Sequence, residues 1–392
     1  MIPYSKQEII NKDIAAVIKV MRSPWLTQGP MVKKFENMIS KYSNAKYASA
    51  VNSATSALHL ACMALNVGPG DWVWTSPNSF VASANCAIYC GAKIDFVDID
   101  EKTFNICVKQ LEIKLIKAKK EKKLPKVLIP VHFAGQPCDM EKIFTLSKQY
   151  KFKIIEDASH AIGAHYKLKN SKKKKYIKIG SCTHSDITVF SFHPVKIITT
   201  AEGGMALTND SKIDERIKLL RTHGITKSKK FMKTKSKDPW YFEQIKLGLN
   251  YRMNDIQSAL GIEQCKRIDL FVKARHEKAK LYDKYLNFQK LNKQIQPKKT
   301  YSSYHLYVIK LKLNSINVKK RNIFNYLRKK GIGVNVHYIP IHMHPFYRSI
   351  GFKKGDFPNT ESYYNSAISL PIYPSLKKKD QFFVIKLINK LL

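Results

Sequence analysis

Acidic residues are scarce in this chain of 392 residues, where 29 Asp and Glu stand against 69 Lys and Arg for a formal charge of +40. Long apolar runs are missing, and none approaches the length of a bilayer span, so no membrane partner is expected. The opening Met1-Ile2-Pro3-Tyr4-Ser5-Lys6 has no continuous apolar segment, so no secretory signal is expected either. Cysteine is thin: seven residues, an odd number, scattered without paired metal-ligand spacing. That excludes a disulfide framework, gives no reason to expect a metal, and points to free thiols in a cytoplasmic protein.

A large positive charge invites a nucleic-acid partner. Two features argue against it. The excess is almost all Lys, whereas phosphate and base recognition favours the planar fork of Arg. It is also spread along the chain, with local clusters at 114–126, 167–178, 227–237 and 377–379, and no helix-turn-helix or RNA-binding motif accompanies it. Solvated helix faces and loops are the expected home of these lysines. A basic DNA-binding regulator remains the alternative outside the enzymes.

With 44% apolar residues, the chain is long enough for a large domain plus a smaller one. Short apolar strands are expected at 47–51, 72–75, 93–98, 127–131, 153–160 and 186–192, alternating with helical segments. That pattern specifies an α/β domain with a mostly parallel sheet covered on both faces. A long helix is expected over 256–288, then strands at 306–311 and 334–338 and helices at 321–329 and from 381 onwards, an α+β pattern. The expected division is 1–262 for the large domain and 263–392 for the small one. A basic hairpin is expected at 166–178.

The stretch from Asp186 to Gly204 is the most informative. It begins as a β-branched and aromatic strand that Pro194 stops. A single lysine, Lys196, then follows between apolar neighbours, before small and hydroxyl residues lead to Gly203-Gly204. A lysine held in a dry pocket has a lowered pKa, and its free amine attacks carbonyls. Upstream, Tyr47–Val51 runs through Asn52-Ser53-Ala54-Thr55-Ser56 into a helix start. Free N–H groups at a positive helix end there suit a phosphate, or serve an ordinary cap. Asp157 falls at the carboxyl end of a strand, where ligands of parallel sheets bind.

Ser191-Phe192-His193-Pro194-Val195-Lys196, with Thr199-Thr200-Ala201-Glu202-Gly203-Gly204, resembles the cofactor-lysine segment of the DegT/DnrJ/EryC1/StrS sugar aminotransferases. The likeness runs from about 25 to 374. It implies fold type I, a mostly parallel seven-stranded sheet, and dependence on pyridoxal 5'-phosphate carried by Lys196. It further implies that Thr55, Ser56 and Ser191 hold the phosphate and that Phe80 stacks on the pyridine ring. Asp157 then faces the ring nitrogen and His160 the phenolic oxygen. The segment Leu247 to Asp255 implies a homodimer in which Asn250 reaches the neighbour's cofactor. His337-Tyr338-Ile339-Pro340-Ile341-His342 resembles the segment laid over the substrate cleft, making His337 and Tyr338 substrate candidates. Read without the family, Asp255 is a helix cap.

The resemblance implies transfer of an amino group from L-glutamate, leaving 2-oxoglutarate, to a nucleotide-linked keto-sugar. The branch most resembled aminates carbon 4 of UDP-linked 4-keto-6-deoxy-N-acetylhexosamines for pseudaminic acid and surface glycans. The alternatives among enzymes are a dTDP- or GDP-sugar aminotransferase of the perosamine type, and a sugar dehydratase. Dehydratase relatives replace the lysine with His, and Lys196 is present.

Overall fold

In the computed structural model, which describes residues 1–168, 176–234, 236 and 238–392, the expected strands form one sheet. They are β1 (Tyr47–Val51), β2 (Trp72–Thr75), β3 (Lys93–Phe96), β4 (Val127–Ile129) and β5 (Lys153–Asp157). After a small hairpin, β6 (His165–Lys167) with β7 (Tyr176–Lys178), come β8 (Ile187–Ser191) and β9 (Gly204–Thr208). The seven-stranded order is β1-β9-β8-β5-β4-β2-β3. From β3 across to β8 every pairing is parallel, and β9 alone runs against both its neighbours. The expected mostly parallel sheet is therefore present.

Successive residues along each strand feed opposite faces. Trp74, Leu128, Ile154 and Phe190 enter one hydrophobic core, and Val73, Ile129, Ile155 and Val189 the other. Helices cover both faces, α2 (Pro30–Ser43) on the first core and α3 (Ala54–Ala64) with α4 (Ala82–Tyr89) on the second, while α1 (Asn11–Met21) packs against helix Asp255–Cys265. Burial on both sides explains why these strands read as continuous apolar runs without alternation.

Further along, Leu291–Lys293, Tyr307–Leu311 and Ala367–Leu370 make an antiparallel three-stranded sheet. Helices Lys320–Lys329 and Lys378–Leu391 help bury it in a separate core. Helix Ile268–Tyr285 joins the two regions. Its Ile268, Phe271 and Val272 belong to the first core, and its Ala279 and Tyr282 to the last. The N-terminal residues also cross over, since Ile2 donates its N–H to the Gly331 carbonyl and accepts that of Gly333.

Three expectations are corrected. The helix over 256–288 is two helices, Asp255–Cys265 and Ile268–Tyr285. They break where Arg267 swings its guanidinium onto the buried Asp13, 2.5 Å away, and towards Glu8 at 3.7 Å. Residues 334–338 are not a strand. Only Asn335 bridges to Ser369 before the chain turns away. Asp255 is not the cap of its helix: Asn254 caps it, with Gln257 completing the box, and Asp255 instead accepts the Val32 N–H at 3.0 Å. The arms of the basic hairpin are β6 and β7, paired antiparallel, and its turn lies outside the described residues.

Candidate active site

Lys196 stands on a loop that β8 throws out and β9 takes back. The loop is closed at its base, where Phe192 donates its N–H to Gly203 and accepts that of Thr200, both at 2.9 Å. Thr199 Oγ1 also bonds the Phe192 carbonyl at 3.0 Å, and Ser5 holds the Val195 carbonyl from outside at 3.0 Å. Pro194, which has no N–H to give a sheet, forces this excursion. The loop borders a cavity of about 450 Å³ into which Lys196 projects.

Burial pushes the Lys196 ammonium down to about 8, against the opposing pull of the Asp157 charge. Desolvation wins over that attraction, so a free amine is accessible near neutral pH. Asp157 ends β5 and lines the same cavity, only 5% exposed. Its Oδ2 accepts the Ser83 hydroxyl at 2.6 Å and its Oδ1 the Ser159 N–H at 3.1 Å. Those donors fix the position of the carboxylate in the wall.

At another part of the wall, β1 turns into α3. Ser53, the N-cap, accepts the Ser56 N–H at 3.1 Å. Ser53, Ala54 and Thr55 line the cavity, whereas Ser56 turns its hydroxyl to Asn52 at 2.6 Å and stands behind them. Gly204 makes this turn fit: a Cβ there would lie 2.5 Å from the Ala54 nitrogen and from the Ser53 carbonyl oxygen. Ser191, at the end of β8, faces the same space.

His160 is buried, and its Nδ1 accepts the Ala134 N–H at 3.3 Å. Burial and then the nearby Lys196 and His337 hold it well below the usual histidine range, so it is neutral. Its Nε2 lies 3.1 Å from the Tyr338 hydroxyl. Phe80 sits at the mouth, more than half exposed, with its ring 6.0 Å from that of Tyr338. His337 lines the cavity and is pushed down to about 3 by burial and by Lys196, with Nδ1 on Ser369 Oγ at 2.8 Å.

Of the ten residues singled out from sequence, eight border this cavity and two do not: Ser56, and Asn250. Asn250 is exposed and bridges to Thr222, away from the Lys196 cavity of its own chain. The Trp25–Pro30 loop is also elsewhere, with Gln28 and Gly29 facing Arg252 across a different hollow. His342 is shut away on Glu361 at 3.0 Å.

Among the members of the wall that the sequence reading missed are Tyr4 and His305. His305 is 2% exposed and its ring lies against that of His160, centroids 4.3 Å apart. Ser303 anchors its segment by bonding the His160 carbonyl at 2.6 Å. The only local signal was a polar run, Ser302 to His305, just before an apolar strand. Tyr4 had none, because 190 residues separate the N-terminal segment from the loop it touches.

This donor set fits pyridoxal 5'-phosphate. Hydroxyls and a helix N-terminus suit the phosphate, a buried carboxylate suits a ring nitrogen, and a desolvated amine suits the aldehyde. Among known proteins, a UDP-4-amino-4,6-dideoxy-N-acetyl-beta-L-altrosamine transaminase of Campylobacter jejuni is 38% identical over 98% of this chain and 96% of its own. The solved Helicobacter pylori PseC, an aminotransferase of pseudoaminic acid biosynthesis, superimposes with a TM-score of 0.87 at 32% identity, over 100% of this chain and 98% of its own. A putative sugar aminotransferase of Streptococcus pneumoniae, Spr1654 in its PLP form, gives 0.86 at 29% identity, over 100% and 99%. Residues 7–389 match the DegT/DnrJ/EryC1/StrS aminotransferase family; the chain belongs to that family and is a sugar aminotransferase dependent on pyridoxal 5'-phosphate.

Proposed function

We propose that the chain moves the amino group of L-glutamate to carbon 4 of a UDP-linked 4-keto-6-deoxy-N-acetylhexosamine, in the synthesis of pseudaminic acid and surface glycans. The observation that carries this reading is Lys196, a lysine pushed down to about 8 on a cavity it shares with Asp157. The activities of the Campylobacter and Helicobacter relatives support the choice of sugar.

When bound, pyridoxal 5'-phosphate supplies an electron sink that makes the amino-acid α-proton removable. Lys196 Nζ, which holds the cofactor at rest, takes that proton and returns it. Asp157 would face the ring nitrogen, and Thr55 and Ser191 with the start of α3 would hold the phosphate, while Ser56, bonded to Asn52, steadies that turn from behind. Phe80 would cover a ring face, His160 would stand beside the phenolic oxygen, and His337 and Tyr338 would meet the sugar.

Two broader parts belong to the same reading. The chain works in the cytoplasm as a homodimer in which Asn250 serves the neighbouring site; its exposure and its distance from its own cavity support this. Residues 1–262 act as the cofactor-binding domain and 263–392 as the smaller one, supported by the separate core of the latter. No helix among the described residues is long and apolar enough to cross a membrane.

The test is to mix cofactor-loaded protein and L-glutamate with UDP-, dTDP- and GDP-linked keto-sugars, then identify the aminated product. Amination of the UDP-linked 4-keto-6-deoxy sugar at carbon 4 is expected. Preference for a dTDP- or GDP-sugar, or amination at carbon 3, overturns the substrate assignment.

A further inference from the structure

Groups from distant parts of the chain fix the backbone on which His305 stands. Arg275, on helix Ile268–Tyr285 and fully buried, gives one guanidinium nitrogen to the carbonyls of Tyr304, His305 and Ile372 at 3.2, 3.1 and 2.9 Å. Its neighbour His276 holds the Ser302 carbonyl from Nε2 at 2.7 Å, and Gly135 accepts the Ser303 N–H at 3.1 Å. Between these anchors Tyr304 takes a φ of 47°, in the left-handed region that a bulky side chain seldom adopts. Such strain persists only where the surroundings impose it, and it gathers at functional sites.

The imidazole that this backbone presents has no hydrogen-bond partner in the protein. The ring is stacked on that of His160 and lines the Lys196 cavity, yet among the described residues neither of its nitrogens is bonded. Nδ1 is shut in, which leaves Nε2 as the nitrogen open to the cavity. Burial, and then the nearby His160, Lys196, Arg275 and His337, hold the ring well below the usual histidine range, so it is neutral. An N–H buried at Nδ1 would have no acceptor, so the single proton belongs on Nε2.

We propose that His305 binds substrate, its Nε2–H donating a hydrogen bond to an oxygen of the hexose; this rests on the cavity taking a nucleotide-linked keto-sugar. The ring adjoins His160, which meets Tyr338 at 3.1 Å, and the rings of His337 and Tyr338 lie 5.0 Å apart. His305 therefore belongs to the side of the cavity assigned to the sugar. A neutral donor suits an uncharged sugar oxygen, whereas a carboxylate is held best by a charged one.

Cofactor-loaded protein is titrated by calorimetry with UDP-N-acetylglucosamine, a nucleotide sugar with no keto group to react, and with UDP alone. His305→Phe keeps a ring against His160 and removes the donor. His305→Gln gives up the ring and restores an amide N–H at about the reach of Nε2. The Phe variant should bind UDP-N-acetylglucosamine about tenfold more weakly than wild type, the Gln variant within about threefold of it, and UDP alone should bind all three alike. Loss in the Gln variant with normal binding in the Phe variant would make His305 a packing partner of His160 and overturn the proposal. An equal loss towards UDP, or loss of cofactor after gel filtration of the Phe variant, would also overturn it. Wild-type protein gives a test that needs no variant to fold: diethylpyrocarbonate should modify His305, located by mass spectrometry, and UDP-N-acetylglucosamine should slow this at least about threefold more than UDP does. A His305 that is not modified, or that both ligands protect alike, overturns the proposal. A wild type that binds neither ligand overturns instead the UDP-sugar reading on which it rests.

Discussion

The Nε2 of His160 lies 3.1 Å from the hydroxyl oxygen of Tyr338. The other ring nitrogen, Nδ1, already accepts the Ala134 N–H. A neutral ring in that position must carry its proton on Nε2 and donate it to the phenol. The Tyr338 hydroxyl hydrogen is then free to turn into the cavity. Burial raises the Tyr338 pKa, so this group offers a hydrogen bond and keeps its proton.

Tyr338→Phe should therefore weaken the sugar half of the reaction by about tenfold, the worth of one hydrogen bond in a dry site. The glutamate half should change much less. Stopped-flow measurement of the two half-reactions separately checks this. Equal loss in both halves would mean that Tyr338 acts through His160 and the cofactor, without touching the sugar.

The charge state of Lys196 makes a prediction about stability. Its pKa falls from 10.5 in the unfolded chain to about 8 in the folded one. Between those values the unfolded chain binds a proton that the folded chain lacks, so stability rises with pH across that window. Below about 8 both states are protonated, and the folded protein carries the full cost of a desolvated ammonium, on the order of a few kcal/mol. Lys196→Met in cofactor-free protein should thus be more stable than wild type at pH 7, with the difference shrinking by pH 10. Denaturant titrations at the two pH values measure it, and a gap that does not change with pH would contradict the assignment. The same change should abolish turnover, by roughly a thousandfold or more, since it removes the proton carrier. Borohydride applied to loaded wild type should fix the cofactor to the peptide that contains Lys196.

Asp157→Asn tests the carboxylate. The neutral amide cannot stabilise a protonated ring nitrogen, and Ser83 would lose the carboxylate oxygen that accepts its hydroxyl. Activity should drop on the order of a hundredfold or more, while much of the cofactor, measured by absorbance after gel filtration, is retained. Near-normal turnover would reduce Asp157 to a structural residue at a strand end.

How much of this could be read from the sequence depended on locality. The strands of the large sheet were visible because both their faces are buried, and Lys196 because Pro194 and Gly203-Gly204 punctuate its loop. Segment 334–338 misled because Val334 and Val336 look like strand residues. Its role is to bring His337 and Tyr338 to the cavity, and pairing stops after Asn335. Asp255 was mistaken for a cap because sequence could not show Val32, 223 positions earlier, as its partner. His305 was invisible for the same reason: its neighbour His160 lies in another part of the chain.

Asn250 is the site candidate that its own chain does not explain. Its backbone is held by the bridge to Thr222, and Tyr251 next to it donates to the Arg221 carbonyl at 3.0 Å. The loop is thus fixed, yet the Asn250 side chain is exposed and faces no part of the Lys196 cavity of the same subunit. In a two-fold dimer each subunit would present this residue to the other, because an isologous contact uses the same patch twice. Asn250→Ala should then raise the dissociation constant of the cofactor by about tenfold, the loss of one hydrogen bond, and leave Lys196 able to react. The strongest test uses subunit exchange between Lys196→Ala and a severely defective Asn250 variant, each inactive alone. A mixed dimer would have one site with both defects and one with neither, so up to about half of the wild-type activity per mixed dimer should return. Zero activity in a sample where mass spectrometry shows mixed dimers would place Asn250 outside the partner's site.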